Sequence, residues 1–261
     1  MEWVMRALLP SFVRPYRPGD ELRIDPPHLA ENPEPFMGFL GWAERIHRYQ
    51  VLGLEHVPSE GAALVVSPHP FMATGMFLLS KRIFERDGRL LRGLTDHWIF
   101  SIPLVRDLFA TMGIVDGTQE NGLRLLRSGQ LATCMPGGGL DWSRSSRQRR
   151  QLRWGNHRGY ARLAAIAGVP VIPTACPAGD ELYWVLNDGW RAGVLLQRLL
   201  GTRRILPLPL VVGLGPLPFP VKLTQYVAPP IWPKGEGSVE DRARDLDRRV
   251  RSVLEGLLQK P

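Results

Sequence analysis

His69 lies in Ser67-Pro68-His69-Pro70, directly after the apolar run Ala62–Val66 and just before a helical stretch from Phe71 to Phe84. A histidine beyond the carboxyl end of a strand sits where open α/β sheets bind ligands, and its ordinary pKa near neutrality suits taking a proton from a hydroxyl. A second group follows another strand-like run, Leu131–Met135: Pro136-Gly137-Gly138-Gly139-Leu140-Asp141. Three glycines let backbone amides approach a ligand, and the sequence predicts a Gly-rich anion-binding turn here. Arg144, Arg147, Arg149, Arg150, Arg153 and Arg158 come next, within fifteen residues. Such a cluster is either a phosphate or lipid-surface binder or a solvated loop. A third strand-like run, Val169–Ala175, delivers Asp180, Glu181 and Tyr183 to the same sheet edge, as proton-handling acids or as a polar turn. Cys134 and Cys176 each stand in apolar strands and read as core, because a reactive thiolate needs an exposed, positive site. Neither has the partner spacing of a metal site, and no metal is expected.

Short apolar runs alternate with helical periods, which predicts an α/β fold: a single domain with a largely parallel sheet flanked by helices. The helical periods cover Phe71–Phe84, Trp98–Met112 with a break at Pro103, Thr118–Ser128 closed by Gly129, and Asn156–Ala167 closed by Gly168. Gly113–Asp116 reads as a turn or short strand and Lys222–Ala228 as a further strand. From Ser238 to Gln259, Val239, Ala243, Leu246, Val250, Val253 and Leu257 recur at helical steps behind a Ser238/Asp241 capping box. That helix is expected to dock on the domain rather than on a second copy. The layout is therefore residues 1–50 as an accessory segment, 51–235 as the main domain and 236–261 as the closing helix. In the first segment, Met1–Val13 and Pro35–Gln50 each mix large apolar residues with arginine. Either could lie in a bilayer interface or pack on the core. Pro18–Pro35 reads as loop.

The chain of 261 residues is long enough to bury a sizeable core, and its 44% hydrophobic and 22% charged composition excludes wholesale disorder. Its 24 prolines and 27 glycines have no period, which excludes collagen and solenoid repeats. Two cysteines cannot make a multi-bridge framework and point to a reducing compartment. No secretory signal and no uninterrupted 18-residue apolar helix is visible. The run Ile205–Val221 lacks charge but holds five prolines. The formal net charge is +8, and only four of the 33 basic residues are lysine, leaving 29 arginines. Either coding bias or an anionic partner accounts for that excess. Arginine's planar fork suits phosphate, whereas sparse aromatics and the lack of a binding module speak against nucleic acid.

Taken in order, several blocks resemble the glycerolipid acyltransferases, closest to the diacylglycerol acyltransferase type-2-like and phytyl ester synthase branch. They are Ser67-Pro68-His69-Pro70-Phe71-Met72-Ala73-Thr74-Gly75, Asp96-His97-Trp98-Ile99-Phe100-Ser101-Ile102-Pro103, Asn121–Gly129 with Met135-Pro136-Gly137-Gly138, Trp154–Ala164, Val171–Tyr183 and Pro220–Leu223. Together they span roughly residues 52–233. The departures are specific. Ser67 and Pro70 replace the outer residues of the branch's His-Pro-His-Gly block. Thr74 stands where the wider superfamily has an acid, Thr118 or Gln119 where it has an arginine, and Leu140-Asp141 keeps only the acid of an Arg-Glu pair. The missing arginine favours a neutral hydroxyl over a phosphorylated acceptor. The resemblance implies an O-acyltransferase with His69 as general base and Asp141 orienting the acceptor or His69. Gly137, Gly138, Gly139, Arg144, Arg158 and Glu181 would contact substrates, and no cofactor is needed beyond acyl-CoA or acyl carrier protein as co-substrate. It further implies an acyl thioester donor, a mono- or diacylglycerol-like lipid acceptor and a membrane surface as partners, at the cytoplasmic face of a membrane and peripheral to it. The competing readings are a lysophosphatidate acyltransferase, a lipid-binding protein that has lost catalysis, and a thiol enzyme acting through Cys134.

Overall fold

The computed structural model describes residues 16–17, 19, 22–23, 34–200, 205, 207–215 and 217–261. The proposed interfacial segment Met1–Val13 and most of the Pro18–Pro35 loop lie outside the described residues. In chain order the elements are α1 (Glu34–Ile46), β1 (Gln50–Leu52), β2 (Ala63–Val66), α2 (Thr74–Asp87), β3 (Leu91–Thr95), α3 (His97–Phe100), α4 (Pro103–Thr111), β4 (Val115–Asp116), α5 (Gln119–Arg127), β5 (Leu131–Cys134) and α6 (Gly138–Trp142). They continue with α7 (Gly159–Ala167), β6 (Val171–Ala175), β7 (Trp184–Asn187), α8 (Trp190–Leu200), β8 (Leu210–Val212), β9 (Thr224–Val227) and α9 (Val239–Leu258).

Seven strands form one sheet in the order β1-β9-β6-β2-β5-β3-β4. All neighbours pair in parallel except β6 and β9. β2 sits in the middle, Ala63 opposite Leu131 on one side and Leu64 opposite Val171 on the other. Every one of its residues is buried, as expected for a strand covered on both faces. Leu64 and Val66 pack with Trp154, Tyr160 and the apolar edges of α7 and α9. Ala63 and Val65 face Met76, Leu79 and Ile83 of α2. This alternation is the period of two that a strand imposes.

Helix boundaries follow local chemistry. Pro103 breaks the 97–111 stretch and opens α4 from its first turn. Gly168 closes α7 at φ 67°, in the left-handed region. The Ser238/Asp241 capping box starts α9, whose Ala243, Leu246, Val250 and Leu254 bury against α7 and β6. α1 packs Phe36 and Leu40 onto Leu78, Leu182 and Leu223, while Phe39 and Trp42 stay exposed on its other side.

The expected Gly-rich turn is corrected: Gly138–Trp142 forms a helical turn, α6. Gly137 is what permits it, since a Cβ there would fall 2.2 Å from the Cβ of Asp141 and 2.7 Å from the Trp154 ring. Its glycine identity is required by the packing of the acid beneath it. Among the described residues no helix is long and apolar enough to cross a membrane.

Candidate active site

β2, β5 and β6 are parallel neighbours, so their carboxyl ends open at one edge of the sheet. The loop after β2 carries His69, the turn after β5 carries Asp141 and Arg144, and the 3-10 segment Pro177–Glu181 after β6 carries Asp180. Three stretches more than a hundred residues apart at their extremes thus converge on one crevice.

His69 is half-buried, and its ring and backbone are held by different groups. Nδ1 lies 2.7 Å from the Pro70 carbonyl oxygen. A carbonyl can only accept, so this contact makes Nδ1–H the donor and leaves the lone pair on Nε2. Nε2 has no hydrogen-bond partner among the described residues. The His69 backbone N–H donates to Asp141 Oδ2 at 2.8 Å, and Arg144 Nη1 reaches the His69 carbonyl at 3.3 Å. Burial lowers the His69 pKa below its ordinary value. The Pro70 carbonyl and the carboxylates of Asp141 and Asp96 oppose that shift, and Arg144 adds to it. The imidazole is therefore neutral at pH 7 and available as a base.

Beneath it lies a closed ionic triad. Arg144 is 2.5 Å from Asp141 on one side and 2.5 Å from Asp180 on the other, with side-chain exposures of 4%, 0% and 7% for the three. Asp141 also accepts from Trp154 Nε1 at 3.1 Å and from the Arg153 backbone N–H at 3.4 Å. Asp180 accepts the Arg150 backbone N–H at 2.8 Å. Burial works against charge on Arg144, but Asp180 and Asp141 outweigh it and its pKa is raised. A guanidinium so buried, paired on both sides, acts as an internal clamp that joins Asp141 to Asp180. Asp141, with no exposed surface, cannot touch an acceptor, and its contact with His69 is through the backbone.

The other expected site residues separate. Gly138 and Gly139 lie in α6, with a Cβ at Gly138 coming 4.0 Å from the Asp96 carboxylate. Glu181 pairs with Arg150 at 3.1 Å, one residue from the triad. Arg158 turns away to Asp247 at 3.4 Å, against α9, and makes no hydrogen bond or ion pair to His69, Asp141 or Arg144. The arginine cluster is thus dispersed: Arg153 donates to Gln148 and Arg150 to Glu181. Beside α6, Arg153 and Arg191 line a cavity of about 270 Å³ with Leu140, Ser143, Asp188 and Trp190. Burial pushes the Cys134 and Cys176 thiols up to about 12, as expected of core cysteines. Among the described residues no cluster of His, Cys, Asp or Glu could hold a metal ion.

Two contributors, Trp154 and Asp96, escaped the sequence analysis, and a third, Asp180, was open between a proton-handling acid and a polar turn. Asp180 is a structural counter-ion rather than a proton-handling acid; its position right after a buried strand was the available signal. Trp154, fully buried, carries no local sign of its bond to Asp141. Asp96 acts on the His69 ring from the end of β3. A second histidine, His97, bonds Asp116 at 2.7 Å, but its side chain is 79% exposed, outside the crevice.

Residues 48–177 match the family model described as Acyltransferase. A human protein named "DGAT1/2-independent enzyme synthesizing storage lipids" is 30% identical over 220 residues, covering 82% of this chain and 63% of its own length. Its chicken counterpart is 28% identical, covering 82% and 60%. An uncharacterized protein of Mycobacterium tuberculosis is 29% identical, covering 76% and 56%. The chain thus spans about three fifths of the length of the curated relatives it matches. Among solved structures, the 1-acyl-sn-glycerophosphate (LPA) acyltransferase PlsC of Thermotoga maritima superposes with a TM-score of 0.50 at 17% identity, over 88% of this chain and 84% of that one. That likeness concerns the fold.

Proposed function

Residues 48–177 belong to the acyltransferase family, and on that premise we propose that this chain transfers an acyl group from a thioester donor to the hydroxyl of a neutral lipid, with His69 as general base. One observation carries the assignment of the base: His69 is the crevice histidine whose Nδ1–H is held by a carbonyl, leaving a neutral Nε2 lone pair free. Nε2 takes the acceptor's hydroxyl proton as the oxygen attacks the thioester carbonyl. The tetrahedral oxyanion then collapses, the C–S bond breaks, and Nε2–H returns the proton to the departing thiolate. No acyl-enzyme is required. α2 begins without a side-chain cap at Ala73, so its first-turn amides are assigned to the oxyanion. The anionic carrier of the donor is assigned to the cavity lined by Arg153 and Arg191.

The neutral acceptor is favoured because Arg144, the cation pressed against His69 among the described residues, is spent on Asp141 and Asp180. A lysophosphatidate acceptor would need a free positive group at that place. Asp141 and Arg144 act as positioning residues, gripping the His69 backbone from its N–H and its carbonyl. The protein is assigned to a membrane surface, where such acceptors reside.

The test uses the full chain with labelled acyl-CoA and, in parallel, monoacylglycerol, diacylglycerol and lysophosphatidate. His69→Ala should cut transfer by about 10²–10⁴, the range for losing a general base, while His97→Ala should leave it unchanged. Full activity in His69→Ala would sink the assignment. Preference for lysophosphatidate would shift the acceptor to the phosphorylated class. Absence of transfer by the wild-type chain would favour a lipid-binding role.

A further inference from the structure

Outside the main sheet, β7 and β8 form a two-stranded antiparallel ribbon, Trp184 opposite Val212 and Asn187 opposite Leu210. Its inward residue Val185 is buried, yet its outward face is apolar too. Trp184, Leu186, Leu210 and Val212 are all exposed, and Leu214 and Leu217 continue the surface beyond β8. In the described residues, nine of the sixteen exposed large apolar side chains fall between 184 and 217, and the strand pairing gathers Trp184, Leu186, Leu210 and Val212 into one patch. On α8, Leu195 and Leu199 are exposed together with Arg191 and Arg198, at spacings that share one helix face.

The charge of this region is one-sided. From residue 182 to 222 the sequence has a single acid, Asp188, against Arg191, Arg198, Arg203, Arg204 and Lys222. Apolar side chains interleaved with arginine, with an exposed tryptophan at the edge, match a headgroup layer above acyl chains. A symmetric contact with a second copy would set these like charges against each other.

The patch is also joined to the crevice. The Trp184 and Phe219 rings meet at a tilt of 48°, centroids 5.3 Å apart. The Tyr183 ring lies against the ribbon backbone, where a Cβ at Gly213 would come within 2.9 Å of it. Tyr183 meets Phe71 edge-on at 5.4 Å, and Phe71 follows His69 by two residues. We propose that the β7–β8 ribbon and the exposed face of α8 dock this protein on an anionic lipid bilayer, so that a lipid acceptor passes from the membrane to His69 along the Tyr183–Phe71 contact. The inference rests on the acyltransferase reading only for its second half; the docking stands on the surface itself.

The experiment combines Leu186→Asn, Leu210→Asn and Leu214→Asn in the full chain. All three side chains are exposed, so thermal unfolding should match the wild type. Co-sedimentation with vesicles of equimolar phosphatidylcholine and phosphatidylglycerol should show half-binding at about a hundredfold higher lipid concentration. Ile166→Asn, an exposed apolar site on α7, should bind as the wild type does. Transfer to vesicle-embedded diacylglycerol should fall with binding, while transfer to a short-chain, water-soluble monoacylglycerol stays within about twofold. His69→Ala should do the reverse, binding vesicles normally and losing both transfers. Unchanged vesicle binding by the triple variant overturns the proposal. So does a wild-type dimer in gel filtration that falls apart in the triple variant, since the face would then be covered by a second copy. If the wild type transfers nothing, the acyltransferase reading fails and the vesicle arms still decide the docking.

Discussion

Replacing Arg144 with methionine removes the charge that joins Asp141 to Asp180 while keeping much of the side chain's length. Both carboxylates are in the interior, so the change leaves two buried anions without their cation. Breaking a buried pair by deleting one partner costs about 3–5 kcal/mol. The lower end applies here, because Asp141 retains the His69 N–H, Trp154 Nε1 and the Arg153 N–H, and Asp180 retains the Arg150 N–H. Against a total stability of about 5–15 kcal/mol, the variant folds at 25 °C but melts roughly ten degrees lower. Urea unfolding at constant m reads the free energy directly. Adding Asp180→Asn in the same chain should recover part of the loss, since the second variant removes one of the stranded charges. The cycle of single and double variants should therefore show a coupling of at least about 1 kcal/mol. Activity reports separately: the His69 carbonyl loses its 3.3 Å tether, and kcat should drop by about tenfold to a hundredfold with KM little changed. A variant within about 1 kcal/mol of wild type, or strictly additive single effects, would show that the triad does not hold the site.

Two further outcomes follow from the same geometry. Because burial depresses the His69 pKa, kcat/KM should be flat above about pH 6.5 and fall tenfold per unit below a midpoint under 6.5; a midpoint above 7 would exclude His69 as the titrating base. The sign for stability agrees: His69 and His47 are both depressed by burial, so their contribution is complete above the unfolded value near 6.5 and is lost as pH falls through the folded values. Gly137→Ala should destabilise by about 1–3 kcal/mol, since a Cβ 2.2 Å from that of Asp141 forces α6 to shift; an alanine variant melting with the wild type would refute that packing argument.

Much of the scaffold could be read from the chain. Local signals placed the Pro103 break, the Gly168 close and the Ser238/Asp241 start, and the structure has all three. β3 escaped because Arg92, fully buried, interrupts its apolar run; the side chain is paid for by bonds to the Gly113 carbonyl and Gln130. α6 escaped because consecutive glycines signal a turn, and only packing of Asp141 under His69 makes them helical. The β7–β8 ribbon escaped because both of its faces are apolar, which erases the alternation that marks a half-buried strand.

The sequence by itself determined the fold class, the strands and helices with a clear local period, the family blocks and the prominence of His69, because these depend on periodicity and on residues near in the chain. The tertiary structure decided what each charge does. The arginine run after α6 left an anion site and a solvated loop open, and in the structure Arg144 closes a buried triad, Arg150 and Arg153 bind within the domain, and Arg158 leaves for α9. A charge acts through its nearest counter-charge, and for Arg144 that includes Asp180, 36 residues away and brought close only by the parallel pairing of β2 with β5 and β6.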